Sequence, residues 1–127
     1  MVLKQVFIIN SDLKMRAGKI GVQTAHGATQ YMQHVCDHGH RAEDDKVYAR
    51  YVKWFNDEDN LMKKVVLKAT EMKLMNITWI LKRNNIWAYP IFDRGLTQVP
   101  KDSFTCLVVE PIEEELCKEL FGDLKLL

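Results

Sequence analysis

Apolar residues recur along the chain with two periods, and together these predict an alternation of strands and helices. Continuous apolar runs predict buried strands at residues 6–9, 64–69, 87–92 and 104–109. Helical spacing predicts helices that end near 36, span 43–55, follow a Thr70 N-cap, and begin at Pro111. This order indicates an α/β fold, with a mixed, largely parallel sheet of about four strands sandwiched between helices. We see no repeat or linker, so we expect one domain, residues 1–127.

The first predicted helix carries a row of polar residues. Lys19, Gln23, His26 and Gln30 are spaced four, three and four residues apart, so they lie on one side of a helix. Such a stripe is often only the solvated side of an amphipathic helix. The alternative is one side of a binding or catalytic site, and periodicity alone leaves both interpretations open.

The loop before this helix favours a site. Lys14, Arg16 and Lys19 cluster where the free amide groups of a first helical turn already attract an anion. A phosphate-bearing partner is therefore expected. The loop is not a Walker motif, because Leu13 and Ile20 occupy positions that the motif reserves for glycine and for Ser or Thr.

A second polar stretch, residues 93–98, emerges from an apolar strand and reads Asp-Arg-Gly-Leu-Thr-Gln. It is either a turn in which Asp93 satisfies backbone groups, or the other half of a site. Ligands of α/β proteins gather beyond the carboxyl ends of strands. If both loops reach that edge, Lys19 and His26 face Asp93 and Thr97.

Composition excludes several classes of protein. The 127 residues are 47% hydrophobic and 28% charged, which is ordinary for a soluble globular domain. A net charge of +1 means that RNA binding must rest on a local patch. Three cysteines with no C-x-x-C pair predict reduced, mostly buried thiols and a cytoplasmic location. No membrane-spanning run is present, and the first residues predict a strand rather than a signal peptide.

The segment from His34 to His40 contains three histidines and Cys36, which are residue types that bind zinc. These residues alternate at a predicted helix end, and no distant second pair completes a tetrahedron. The sequence therefore favours a solvated helix terminus, and we predict neither a metal nor a cofactor.

Two stretches and the chain end resemble the archaeal and eukaryotic-type peptidyl-tRNA hydrolases. The matching segments are residues 12–26, from Asp-Leu-Lys-Met to Gln-Thr-Ala-His; residues 93–100, Asp-x-Gly-x-Thr-Gln-Val-Pro; and the ending Leu-Lys-Leu-Leu. The resemblance covers nearly the whole chain. It implies a mixed four-stranded sheet flanked by helices, and hydrolysis of the ester between a peptide and the 3′ ribose of tRNA.

The resemblance implies that the site contains Lys19, Gln23, His26, Asp93, Thr97 and Gln98. Of these we predict Lys19, His26, Asp93 and Thr97 to be catalytic, and Gln23 and Gln98 to bind substrate. Beyond the resemblance, we predict that Lys14 and Arg16 of the basic loop, and Arg94 beside Asp93, also bind substrate. No serine or cysteine lies in a nucleophile pattern, so direct attack by water is expected, with peptidyl-tRNA as the partner and a homodimer left open.

Three positions depart from the family pattern. Leu96 stands where the family usually has Arg, Arg94 stands where a small residue is usual, and Glu110 replaces a Gly before proline. These departures favour the alternative function, a non-catalytic module that binds tRNA or a translation factor. The joint presence of Lys19, His26, Asp93 and Thr97 favours the enzyme.

Overall fold

The computed structural model describes residues 1–38, 45–95 and 99–127. Six strands form one sheet, and four α-helices cover it. The strands are β1 (Leu3–Asn10), β2 (Lys64–Ala69), β3 (Ala88–Phe92), β4 (Phe104–Val109), β5 (Ile112–Glu113) and β6 (Lys125–Leu126). The helices are α1 (Ala17–His38), α2 (Asp45–Asn56), α3 (Glu71–Arg83) and α4 (Glu114–Phe121). The predicted start of α2 at Glu43 lies outside the described residues.

The predicted mixed α/β sheet is confirmed, but it is larger and more antiparallel than expected. Its order is β3-β4-β1-β2-β6, with β5 paired to β1. Among the strands of the described residues, only β1 and β2 pair in parallel, whereas β4 is antiparallel to both β1 and β3. The strands β1, β2 and β3 do point the same way. Because β4 inserts between β1 and β3, it converts the expected parallel contacts into antiparallel ones.

Alternation along β1 divides the core into two layers. Val6 and Ile8 face α3 and α4, while Phe7 and Ile9 face α1 and α2. Every residue of β1 except Lys4 is buried, as expected for a strand covered on both faces. Helix α1 packs closely against β1 and β4 because Gly27 has no side chain. A Cβ there would lie 3.0 Å from the Val108 Cβ.

Several local predictions are confirmed and one is wrong. Thr70 caps α3 by accepting the Lys73 N–H, and Pro90 lies on the edge strand β3. Pro111 does not begin a helix. The next two residues form β5 first, because the buried Ile112 pairs with β1, and α4 starts at Glu114. No described helix is long and apolar enough to cross a membrane.

Candidate active site

A lysine–aspartate ion pair lies at the carboxyl end of β3. Lys19 is in the first turn of α1, and Asp93 directly follows β3, 74 residues later. Lys19 Nζ lies 2.5 Å from Asp93 Oδ1, and the two side chains are only 9% and 10% exposed. The hydrogen bond from Lys19 is the main cause that lowers the pKa of Asp93 below its usual value. The carboxylate is therefore ionised at neutral pH.

The second oxygen of Asp93 holds the turn that follows. Asp93 Oδ2 accepts the backbone N–H of Gly95 at 2.7 Å, which is the turn that the sequence left as one alternative. Gly95 has φ +76°, and a Cβ there would lie 2.4 Å from the Lys101 Cα. The Asp93 backbone also pairs with Asp102 and Ser103. One carboxylate thus fixes its own loop and binds Lys19.

Gln23 lies behind this pair and is not part of a polar surface stripe. Its side chain is 1% exposed, whereas His26, one turn later, is exposed. Gln23 Nε2 points at Asp93 Oδ1 at 3.4 Å, and its Oε1 lies 2.6 Å from Thr105 Oγ1. Of the two interpretations of the stripe, the one in which it is only a solvated side does not hold for Gln23, because the helix packs against β4 on the side that carries Gln23.

Thr105 extends this chain of hydrogen bonds, and it was not predicted from the sequence as part of the site. It is 0% exposed in β4, and its hydroxyl also lies 3.1 Å from the Ile91 carbonyl oxygen. The signal was visible, because Thr105 is the single hydroxyl-bearing residue in the otherwise apolar run from Phe104 to Val109. A lone polar residue in a central strand needs a buried partner, and Gln23 is that partner.

An open cleft of about 410 Å³, which we call the edge cleft, lies beside the pair between α1 and β3. It is lined by His26, Thr29, Gln30, Tyr89, Pro90, Ile91, Phe92 and Arg94. Among the described residues, His26 makes no hydrogen bond to Asp93. The geometry therefore brings together Lys19, Gln23 and Asp93, and it places His26 and Arg94 on the adjoining cleft.

The remaining predicted site residues fall into two groups. Lys14 and Arg16 are exposed in the segment that leads into α1. Lys14 has φ 50° after a short 3-10 turn, so it directs the chain from β1 toward Lys19. Thr97 and Gln98, with Leu96, lie outside the described residues, so their predicted roles remain predictions.

In the described part of the chain, no group of three or more His, Cys, Asp or Glu residues is arranged to hold a metal ion. His34 and His38 lie within ring contact of each other, at a centroid distance of 4.7 Å. Gly39 and His40 of the same predicted segment lie outside the described residues. The thiols of Cys36, Cys106 and Cys117 are free, and the last two are buried as expected.

The fold and geometry define an α/β protein with a polar site at the carboxyl end of an edge strand. A family model described as Peptidyl-tRNA hydrolase PTH2 matches residues 3–127. The chain belongs to this family. It is 37% identical over 125 residues to a peptidyl-tRNA hydrolase of Thermococcus sibiricus, covering 97% of this chain and 96% of that protein.

Two further archaeal relatives match to a similar extent. A peptidyl-tRNA hydrolase of Methanothermobacter thermautotrophicus is 36% identical over 126 residues, which cover 98% of this chain and 100% of that protein. One of Thermococcus onnurineus is 38% identical over 125 residues, which cover 97% and 96%. The resemblance inferred from the two motifs is thus confirmed over nearly the full length.

Proposed function

We propose that this chain, acting as a single domain in the cytoplasm, hydrolyses the ester that joins a peptide to the 3′ ribose of tRNA. The observation that carries this proposal is the shielded Lys19–Asp93 pair beside an open cleft in a member of this family. A non-catalytic tRNA-binding module is not favoured, because such a module has no need of a preorganised ion pair.

Ester hydrolysis requires a water molecule directed at the carbonyl carbon and a positive group near the oxyanion that forms. The Lys19 ammonium supplies the positive group. The lowered pKa makes Asp93 a weak base, so its role is to hold Lys19 and orient the attacking water. Gln23 and Thr105 keep the carboxylate in place through their chain of hydrogen bonds.

Three residues complete the proposed reaction. Thr97 orients the water, and Gln98 binds substrate. His26 accepts a proton from the attacking water and passes it to the departing 3′ oxygen, acting first as general base and then as general acid. Water then contributes its hydroxyl group to the peptide carboxylate, and the tRNA leaves with a free 3′ hydroxyl group.

Direct attack by water is supported by the state of the thiols. Burial raises the pKa of Cys106 to about 12 and that of Cys117 to about 11, so neither forms a thiolate at neutral pH. Cys36 is exposed on α1, but it is 17 residues after Lys19, about 25 Å along the helix. A covalent cysteine intermediate therefore has no suitable nucleophile among these residues.

The exposed cations next to the pair are suited to bind the tRNA backbone. Lys14 and Arg16 lie on the side where α1 begins, and Arg94 lies on the side of β3. We propose that all three contact phosphates, which compensates for a net charge of only +1. A homodimer remains a prediction.

The test is hydrolysis of a peptidyl-tRNA in ¹⁸O-labelled water, with mass spectrometry of both products and of the protein. We expect one ¹⁸O atom in the carboxylate of the released peptide, unlabelled tRNA and no acylated protein. Binding of the tRNA without release of peptide would contradict the proposal and support the non-catalytic module.

A further inference from the structure

We propose that the edge cleft binds the single-stranded 3′ end of the tRNA, with one base stacked on Tyr89 and one phosphate bound by Arg94. This inference rests on the proposed function, because it names the surface that leads the substrate to the Lys19–Asp93 pair. The cleft combines an aromatic ring, an arginine and polar helix side chains, which is the usual composition of a site for single-stranded RNA.

Tyr89 is a rigid, accessible platform for a base. Its side chain is 40% exposed. Next to it along the strand, the ring of Trp87 stacks at 6.1 Å and 24°, and the ring of His34 stacks on Trp87 at 4.6 Å and 16°. A ring already packed against a neighbouring ring loses little freedom when a base covers its exposed surface.

Arg94 supplies the positive charge that a phosphate group requires. It is exposed, lies directly after Asp93, and makes no ion pair or hydrogen bond within the described ranges. A guanidinium in this state is available to a phosphate group and requires no existing contact to be broken.

The edge cleft runs along β3 toward the Lys19–Asp93 pair, where the reaction is proposed to occur. Lys19, near the start of α1, contacts Asp93 at the end of β3, whereas His34, near the end of α1, stacks on Trp87 before β3. Helix and strand therefore run antiparallel along the cleft. Tyr89 lies four residues before Asp93, about 13 Å along the strand, so a strand of RNA that ends at the pair passes over Tyr89.

The edge of β3 is open to such a ligand. β3 is the terminal strand of the sheet order, and Pro90 has no N–H to pair with a further strand. On the opposite wall, His26, Thr29 and Gln30 offer hydrogen-bonding groups to ribose or base edges. The cleft thus favours stacking and side-chain contacts over the addition of a peptide strand.

The test measures binding of a fluorescent four-nucleotide RNA that ends in CCA with a free 3′ hydroxyl, which cannot be hydrolysed. Tyr89→Leu is compared with Tyr48→Leu, since Tyr48 is a 49% exposed tyrosine on α2 away from the cleft. We expect about tenfold weaker binding for Tyr89→Leu, as for the loss of one base–aromatic stack, and no change for Tyr48→Leu. Tyr89→Phe, which keeps the ring, should bind as the unmodified protein does.

A second arm tests the phosphate contact. Arg94→Gln should flatten the slope of log affinity against log salt by about 0.7, the value for one phosphate contact to a single strand. Arg83→Gln, which replaces an exposed arginine at the end of α3, should leave the slope unchanged. Both experiments measure only RNA binding, so they test this inference whether or not the protein proves to be a hydrolase.

Two results would overturn the inference. The first is equal RNA affinity for Tyr89→Leu and Tyr48→Leu while both variants keep the circular dichroism spectrum of the unmodified protein. The second is an effect of Tyr89→Leu confined to binding of an N-acetylated peptide, which would assign the cleft to the peptide. Either result is compatible with hydrolysis at Lys19 and Asp93, so the proposed function would stand independently.

Discussion

The Lys19–Asp93 pair should be strongly coupled in stability, and a double-mutant cycle with Lys19→Met and Asp93→Asn measures that coupling. Both side chains are about nine-tenths buried, so solvent screens their interaction only weakly. A hydrogen bond to a charged group contributes about 1.5–3 kcal/mol. After loss of Lys19, the carboxylate keeps the Gly95 N–H at 2.7 Å and Gln23 at 3.4 Å. We therefore expect a coupling free energy of about 2 kcal/mol, below the cost of a fully orphaned buried charge.

The same substitution predicts a pH effect. The pKa of Asp93 is lower in the folded than in the unfolded chain, so its ionised form stabilises the fold above about pH 4. That contribution is lost as the pH falls through the folded pKa. Lys19→Met removes the main cause of the lowered pKa, so the acid-sensitive part of the stability should shrink. An NMR titration of the Asp93 carboxyl carbon should show its pKa rising.

The assay is urea unfolding of the four proteins of the cycle, with a control cycle on the surface pair Lys73–Asp123. The control atoms are 3.0 Å apart, but their side chains are 40% and 63% exposed. We expect no measurable coupling there, because water and salt screen exposed pairs. The reasoning is refuted if the Lys19 and Asp93 effects add within about 0.5 kcal/mol, or if the Asp93 pKa does not move.

Three further predictions concern buried polar groups and glycines. Thr105→Val should leave the Gln23 oxygen unpaired, so the free energy of unfolding measured in urea should fall by about 1–3 kcal/mol and kcat should also fall. An unchanged kcat would contradict the positioning role of Thr105. Gln5→Met should raise that free energy by about 1–3 kcal/mol, because both amide atoms of Gln5 are buried without a partner in the described structure; a loss of stability would contradict this. Gly27→Ala should lower the free energy of unfolding by about 1–3 kcal/mol, because the added methyl group crowds β1 and β4. Gly21→Ala, which has open space around it, should instead stabilise α1 by about 0.5–1 kcal/mol. Equal melting temperatures of the two variants would contradict the close packing at Gly27.

Much of the site follows from sequence because its parts depend on local rules. Helical spacing predicted α1. The apolar run before Asp93 predicted the strand that has Asp93 at its carboxyl end. The rule that loops meet at this edge then brings Lys19 and Asp93 together across 74 residues. The burial of Gln23 was not predicted, because it depends on which side of α1 meets β4, and a helical stripe does not specify its own orientation.

The strand order was also beyond local reasoning. Whether β4 lies between β1 and β3 or outside them is decided by tertiary contacts, and an apolar run looks the same in either place. The strands β5 and β6 have two residues each, too few to show a period. A proline before three glutamates predicted a helix at Pro111. The local helix preference was overridden there by the burial of Ile112 against β1.

The measurement that tests the central claim most directly is multiple-turnover release of labelled peptide from peptidyl-tRNA by the protein and by Lys19→Ala and Asp93→Ala. The matched controls are Lys82→Ala in α3 and Asp59→Ala in the turn after α2, which remove exposed charges of the same types. We predict that both site variants lose turnover by at least about a hundredfold. Lys19→Ala removes the positive group near the developing oxyanion, and Asp93→Ala removes the carboxylate that holds Lys19. Both controls should turn over at the rate of the unmodified protein. Turnover that persists in either folded site variant would contradict the assignment of catalysis to this pair.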